Sequence, residues 1–264
     1  MDHLTRLENQ SIYILREIFS VTKNIALLWS LGKDSNVMIW LAFKAFLGTI
    51  PFPVVHVDTK KKFKQMYDFR DKYQKKWKLN LIRGTCPKVE DIDPSLPPAA
   101  RSAARKTEGL KNLIKKYKFK AVIAGIRKDE QGTRAKERFF SPRTIEGKWN
   151  IKNQPPEFWD HYQTHLSANF HLRVHPLLNW SELDIWNYIK KENIPVVDLY
   201  FSRNGKRYRS LGDKDITKPI YSKAKTVSDI IEELRITKIS ERSGREMDHE
   251  EEDVFEKLRS TGYL

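Results

Sequence analysis

The stretch Ile25-Ala26-Leu27-Leu28-Trp29-Ser30-Leu31-Gly32-Lys33-Asp34-Ser35 decides the fold of this 264-residue chain. Residues 25–29 form a continuous apolar run of strand length, as a strand buried on both faces requires. A polar loop follows at 30–35. Val37, Met38, Leu41, Ala42 and Ala45 then recur at the spacing of an amphipathic helix. Strand, loop and helix in that order place backbone N–H groups at a helix N-terminus, a glycine that lets a ligand come close, and Lys33 for charge. Together they make an anion cradle of phosphate size. An ordinary turn capped by Ser30 and Asp34 uses the same residue types, and the two flanking elements favour the phosphate reading. The loop is not a Walker A motif, which needs glycine five positions before Gly32, where Leu27 stands.

Outward from this stretch the pattern repeats. Leu4, Leu7, Ile14 and Ile18 predict a helix before the strand. Val54, Val55, His56 and Val57 predict a second strand ending at Asp58 and Thr59, and Phe63, Met66, Phe69, Tyr73 and Trp77 predict a basic helix after it. A third strand is expected at 79–82. A connection over 87–100, a helix near 107–117 and a fourth strand at 121–125 follow. Strands separated by helices imply right-handed crossovers, hence a doubly wound α/β fold with a mostly parallel sheet flanked by helices. Periodicity fails over 139–170, where Pro142, Pro155 and Pro156 point to a long irregular excursion. Regularity returns at 172–176. Ser181 with Asp184, and Thr226 with Asp229, carry the signature of capped helix starts. The organisation read from this is an α/β domain over 1–200 and a small helical C-terminal appendage over 201–264, a lid or partner-docking segment.

Lys and Arg number 49 against 34 Asp and Glu, a formal charge of +15, which implies an anionic partner without choosing among nucleic acid, lipid, nucleotide and small oxyanion. The basic run at 60–78 reads first as a solvated helix face, and Glu250, Glu251, Glu252 and Asp253 form an acidic block. The lone Cys86 excludes a disulfide framework and a cysteine-based zinc or iron–sulfur site within one chain. Charges at Asp2, Arg6, Glu8 and Arg16 argue against a signal peptide, and the longest uncharged stretch, 45–57, is too short for a membrane span. The expected setting is cytoplasmic.

Ser30-x-Gly32-Lys33-Asp34-Ser35 resembles the pyrophosphate-binding loop of ATP pyrophosphatases, which grips the β- and γ-phosphates while the α-phosphate is attacked. A closer resemblance is collinear along most of the chain. It runs through Ser30 to Met38, Phe52 to Thr59, Phe63 with Met66, Tyr67 to Asp71, Lys106 to Leu110 and Arg134 to Arg138. It continues through Arg173 to Leu177, Asn179-Trp180, Asp184 to Trp186, Ser240 to Arg245 and Gly262-Tyr263. These segments resemble sulfate adenylyltransferase small subunits. The resemblance implies an adenine nucleotide alpha hydrolase-like fold and the conversion of ATP and sulfate into adenosine 5′-phosphosulfate and pyrophosphate. It also implies Mg2+ and a larger GTPase subunit as partner, since forming the anhydride from ATP is strongly uphill.

Sulfate is fully ionised and a feeble nucleophile, so this chemistry needs positioning and charge neutralisation rather than a general base. Lys33 sits in the loop. Arg127, Lys128, Arg134, Lys136 and Arg138 follow the C-terminal end of the fourth strand, where open α/β sheets place ligands. The catalytic set is accordingly Lys33, Arg127, Arg134, Lys136 and Arg138. Surface pairing with Asp129, Glu130 and Glu137 is the plainer alternative for the cations of the later segment. The nucleotide-binding set is Ser30, Gly32, Lys33, Asp34, Ser35, His56, Asp58 and Gly125. A packed core histidine and a helix N-cap remain equal alternatives for His56 and Asp58. No carboxylate cluster singles out Mg2+ ligands, and 240–245 is a late anion-binding or lid segment by resemblance alone.

Other readings fare less well. His161/His165 and His171/His175 are spaced for zinc only on a helix, which the nearby prolines disfavour. Sulfonucleotide reduction and persulfide transfer to tRNA need cysteines that this chain lacks. A nucleic-acid-binding module using the 60–78 helix, with a vestigial ATP loop, is the alternative outside enzymology, although its aromatic spacing suits packing better. An ATP pyrophosphatase acting on another anion is the alternative within it. Arg209 to Thr217 departs from the family pattern, and the connection before Tyr208 is short; both are expected to lie outside the phosphate site and to bear on acceptor and partner docking.

Overall fold

The computed structural model describes residues 1–130, 132–144, 146–150, 152, 154–159, 161–164, 170–238 and 241. The acidic block at 250–253, the pair Gly262-Tyr263, His165 and all of 240–245 except Glu241 lie outside the described residues. Helix α1 (His3–Val21) precedes β1 (Ile25–Leu28), α2 (Lys33–Ala45), β2 (Val54–Asp58), α3 (Lys64–Lys76), β3 (Leu81–Thr85), α4 (Pro98–Tyr117) and β4 (Ala121–Ile123). A short α5 (Gly132–Ala135), β5 (Phe140–Thr144), β6 (Phe170–Val174) and α6 (Glu182–Glu192) complete the main body. A ribbon of β7 (Lys206–Arg207) and β8 (Ile220–Tyr221) and helix α7 (Val227–Ile236) follow.

The six-stranded sheet runs β3-β2-β1-β4-β6-β5, parallel except for β5. The apolar run of β1 is buried throughout because neighbours flank it on both edges and helices cover its faces. From β1 the chain moves outward through β2 and β3, then returns to lay β4 on the other side of β1. The order therefore reverses between β1 and β4, where the carboxyl ends diverge into a crevice. Helix α1 packs on α2, α6 on α2 and α7 on α6. Both expected helix starts are capping boxes, Ser181 with Asp184 and Thr226 with Asp229. No described helix is long and apolar enough to cross a membrane.

Three local expectations shift. β3 begins at Leu81 rather than 79, because Lys78 takes φ 49 and the Leu79 amide bonds back to the Gln74 carbonyl at 3.0 Å, closing α3. Helix α4 starts at Pro98, well before 107: proline suits the first helical position, and the alanines after it extend the helix. Within the stretch expected to be irregular, Phe140–Thr144 pairs antiparallel with β6; Pro142 is tolerated because β5 is an edge strand.

The aromatics interleaved with the basic run turn inward. Trp29 lies 6.3 Å from Phe69 and 6.0 Å from Trp77, ring centroid to ring centroid, while Lys64, Lys72, Lys75 and Lys76 face solvent. The spacing of Phe69, Tyr73 and Trp77 is thus that of a helix packing its apolar side onto the sheet.

Candidate active site

Between β1 and α2 the chain makes its tight turn at Leu31, not at the glycine: Leu31 has φ 68, whereas Gly32 caps α2 with φ −84. A Cβ on Gly32 would meet Ser30 Oγ and the Tyr200 hydroxyl at 3.4 Å, ordinary contact. The left-handed conformation therefore falls at a buried leucine, whose side chain holds the turn against the core. Ser30 Oγ donates to Ser35 Oγ at 3.1 Å, and Ser35 Oγ donates to the Gly32 carbonyl at 2.9 Å. The Lys33 amide donates to the Tyr200 hydroxyl at 3.0 Å, and the Trp29 indole N–H to Asn36 Oδ1 at 2.8 Å, locking the loop to α2. Opposite, the backbones come close enough that a Cβ on Gly125 would sit 3.4 Å from the Asp34 carbonyl.

A cavity of about 200 Å3 opens beside this loop at the reversal between β1 and β4. Ser30, Gly32, Lys33, Asp34 and Ser35 form its floor. Gly125 and Arg134 stand on the β4 side, and His56 with Val55 and Val57 on the β2 side. Predicted residues from three separate segments thus meet in one recess.

Its cationic end is densely paired. Lys33 is 1% exposed; its Nζ lies 2.5 Å from Glu241 Oε1 and 3.4 Å from Asp34 Oδ2. Arg127, fully buried behind the wall rather than in it, bonds Asp34, Glu241 and, at 2.9 Å, Asp129. Burial opposes charge on Arg127, yet Glu241, Glu130 and Asp129 outweigh it and raise its pKa. Burial likewise raises Glu241, but Lys33 and Arg127 hold its carboxyl well below the usual range. Arg134 pairs with Glu130, which also lines the cavity. An anion entering here meets cations already fixed in place and already partnered.

The imidazole at the β2 end is neutral. His56 is fully buried, with Nδ1 2.9 Å from the Trp29 carbonyl. Burial pushes its pKa down to about 4, Lys62 and Arg70 adding to that against the Trp29 carbonyl and Asp58. Asp58 does not reach the cavity wall. Its carboxylate accepts the Lys60 amide at 2.8 Å and the Tyr67 hydroxyl at 2.9 Å, closing the turn into α3. Lys136 is exposed and Arg138 half-buried, and neither joins the wall; the Arg138 carbonyl accepts from His175 Nδ1 at 2.8 Å.

A strap crosses the recess. Arg209 donates to buried Glu182 at 2.7 Å, and Asp213, fully buried, accepts from Thr59 at 2.7 Å, Lys62 at 2.9 Å and Lys106 at 3.1 Å, and also from Ser102. Burial raises Asp213, but Lys106 and Lys62 overcome it and keep the carboxyl ionised far below its ordinary range. Between these anchors Ser210, Leu211 and Gly212 wall the cavity. The expectation that the 209–217 departure lies outside the phosphate site is therefore corrected. Lys62, Lys106 and Tyr200 are further wall residues that the sequence reading did not assign. Lys62 was hidden in a charge run, and only its position just before an apolar N-cap, Phe63, hinted at an inward turn.

Among the described residues no group of His, Cys, Asp and Glu could hold a metal ion by itself. His171 lies in β6 and His175 directly after it on extended chain, where four positions span about 13 Å. Burial raises the Cys86 thiol to about 11, which makes it a poor nucleophile.

Residues 24–219 match the family profile of the phosphoadenosine phosphosulfate reductase domain. Among curated relatives, sulfate adenylyltransferase subunit 2 of Trichlorobacter lovleyi is 40% identical over 299 aligned positions, covering 100% of this chain and 99% of that protein. The protein of the same name from Sulfurimonas denitrificans is 41% identical, covering 100% and 98%. The alignments are longer than the 264 residues here, so these relatives carry stretches that this chain lacks. Among solved structures, Candida glabrata FMN adenylyltransferase in complex with ATP superposes with TM-score 0.57 at 18% identity, covering 99% of this chain and 87% of that one. Phosphoadenylyl-sulfate reductase from Candida auris, a phosphate complex, gives 0.52 at 18% identity, covering 81% and 96%. At such identities they speak for the fold.

Proposed function

Because the chain belongs to the sulfate adenylyltransferase subunit 2 family, we propose that it transfers AMP from ATP to sulfate. The observation that carries this reading is the recess at the strand reversal, floored by the Ser30–Ser35 segment and bordered by Lys33 and Arg134. The triphosphate would lie along the α2 N-terminus, with Ser30, Gly32, Lys33 and Ser35 on the β- and γ-phosphates and Arg134 beside the α-phosphate. A sulfate oxygen attacks the α-phosphorus, the bond to the bridging oxygen of the β-phosphate breaks, and pyrophosphate leaves with that electron pair. No proton is transferred. The chain's contribution is to orient the reactants in line and neutralise charge on the leaving group. Arg127 acts through its neighbours, holding Asp34 and Glu241 around Lys33.

Mg2+ travels with ATP and would spread the leaving-group charge; Asp34 and Glu130, the carboxylates of the wall, fit an ion held mainly by phosphate oxygens. The "subunit 2" of the relatives' names supports a partner subunit, which we take to be a GTPase that drives an uphill reaction in the cytoplasm. Residues after 200 act as lid and docking segment, a role consistent with the strap and with Glu241 seated on Lys33.

The test is ATP-dependent pyrophosphate release across a panel of oxyanions, with and without the large subunit. Sulfate should stimulate release, and Lys33→Ala or Arg134→Ala should abolish the stimulation. Release that ignores sulfate but follows another anion would reassign the acceptor. Unchanged release in both variants would remove the site.

A further inference from the structure

One polar atom of the recess wall, on His56, has nothing to bond among the described residues. His56 is fully buried and stands in the cavity wall, its Nδ1 2.9 Å from the Trp29 carbonyl oxygen. A carbonyl only accepts, so Nδ1 carries the ring proton and Nε2 the lone pair. That Nε2 is buried and has no hydrogen-bond partner among the described residues. A buried acceptor left without a donor is costly, and in native structures such a group marks a ligand contact or an internal water. Burial, with Lys62 and Arg70 adding to it, keeps the ring from protonating and turning the acceptor into a second donor, against the pull of the Trp29 carbonyl and Asp58.

The substrates proposed above narrow what can satisfy this atom. Sulfate and an ionised triphosphate offer oxygen acceptors and no proton. The nucleoside alone carries N–H and O–H groups. We propose that His56 Nε2 accepts a hydrogen bond from a donor on the nucleoside of the bound triphosphate and thereby selects the nucleotide; the inference rests on the ATP reading of the site. The donor is either the exocyclic amine of the base or a ribose hydroxyl. In the first case the site discriminates against a 6-oxo purine, whose oxygen would face the lone pair; in the second it discriminates against a deoxyribose. His56 is a binding and selectivity residue in this scheme, with no part in bond breaking.

The experiment measures equilibrium binding of ATP, ITP, 2′-deoxy-ATP and 3′-deoxy-ATP to the full chain and to two variants. His56→Asn keeps an amide donor for the Trp29 carbonyl but lacks the far acceptor; His56→Gln places an oxygen near the Nε2 position. The wild type should bind ITP, or one deoxy analogue, about tenfold more weakly than ATP. In His56→Asn the affinity for ATP should drop to that of the discriminated analogue, so that the ratio approaches one, and His56→Gln should recover most of it. Loss of ratio with ITP assigns the amine, and with a deoxy analogue the hydroxyl. Equal binding of all four nucleotides by the wild type overturns the proposal without any variant, and so does a ratio that His56→Asn leaves intact. In both cases ATP still binds and the site reading stands. A wild-type chain that binds no ATP ends the site reading and this proposal together.

Discussion

The two ends of the recess are built on opposite rules. At the α2 end the cations Lys33, Arg127 and Arg134 are all buried and all held by carboxylates. At the β2 end a neutral imidazole waits with one nitrogen bonded and the other without a partner among the described residues. The contrast teaches how the site divides its labour. Charge is arranged in advance and balanced internally, so an incoming polyanion must exchange partners with Glu241 and Glu130. In the proposed scheme, recognition of the uncharged part of a ligand rests on an atom that, among the described residues, has no partner to give up.

The severest way to break this comparison is Lys33→Ala. Pyrophosphate release should fall by about a hundred- to a thousandfold, as when a transition-state donor is removed, and a rate within twofold of wild type would show that charge is not supplied there. Glu241→Gln is sharper still in meaning, because it separates two roles of one carboxylate. Buried between Lys33 and Arg127, its loss should cost about 3–5 kcal/mol in urea unfolding, while ATP binding tightens because nothing competes for Lys33. Weaker ATP binding in this variant would mean that Glu241 positions Lys33 rather than occupying its place.

The neutral end makes a prediction in pH. With the folded His56 lowered to about 4 from its ordinary 6.5, the unfolded chain takes up a proton first as pH falls through that window. Stability therefore declines between those values, by about 3 kcal/mol in full. His171, lowered to about 3 mainly by burial and then by Arg173 and Arg143, adds to the same slope. In His56→Gln the curve should flatten; a slope identical to wild type would mean that the imidazole is charged in the fold. The carboxylates Glu241 and Asp213 act in the same direction at lower pH. The folded pKa values of Glu241 and Asp213 are depressed, so their contribution is present above the ordinary carboxylate range and lost only as pH falls below it. Smallest is Tyr200→Phe, which removes the hydroxyl that accepts the Lys33 amide. Stability should fall by about 1 kcal/mol, and unfolding midpoints would register it.

What was legible in the sequence follows from how local each signal is. The β1–loop–α2 unit, β2, β4 and the two capping boxes are written in consecutive residues, and so were Lys33, Ser35 and Arg134. β5 was not, because Phe140–Thr144 is a strand only through its pairing with β6, across a long separation. The left-handed turn at Leu31 was not legible, because burial of the leucine side chain outweighs its backbone preference. Lys62 meets Asp213, and Lys33 meets Glu241, across distant segments, and in a chain so rich in lysine the spacing of Lys62 does not separate it from its solvated neighbours. Asp58 was read from its place at a strand end, which it shares with the site, although its carboxylate is consumed by the turn it closes.

The strap held by Arg209 at one end and Asp213 at the other has a consequence for how this architecture tolerates change. Because both clasps fasten to buried partners, residues gained or trimmed in the β7–β8 ribbon need not tug on the span that roofs the recess. A shortened hairpin can thus coexist with an unaltered ceiling, and grafting a longer one from a relative should leave the chamber beneath it undisturbed.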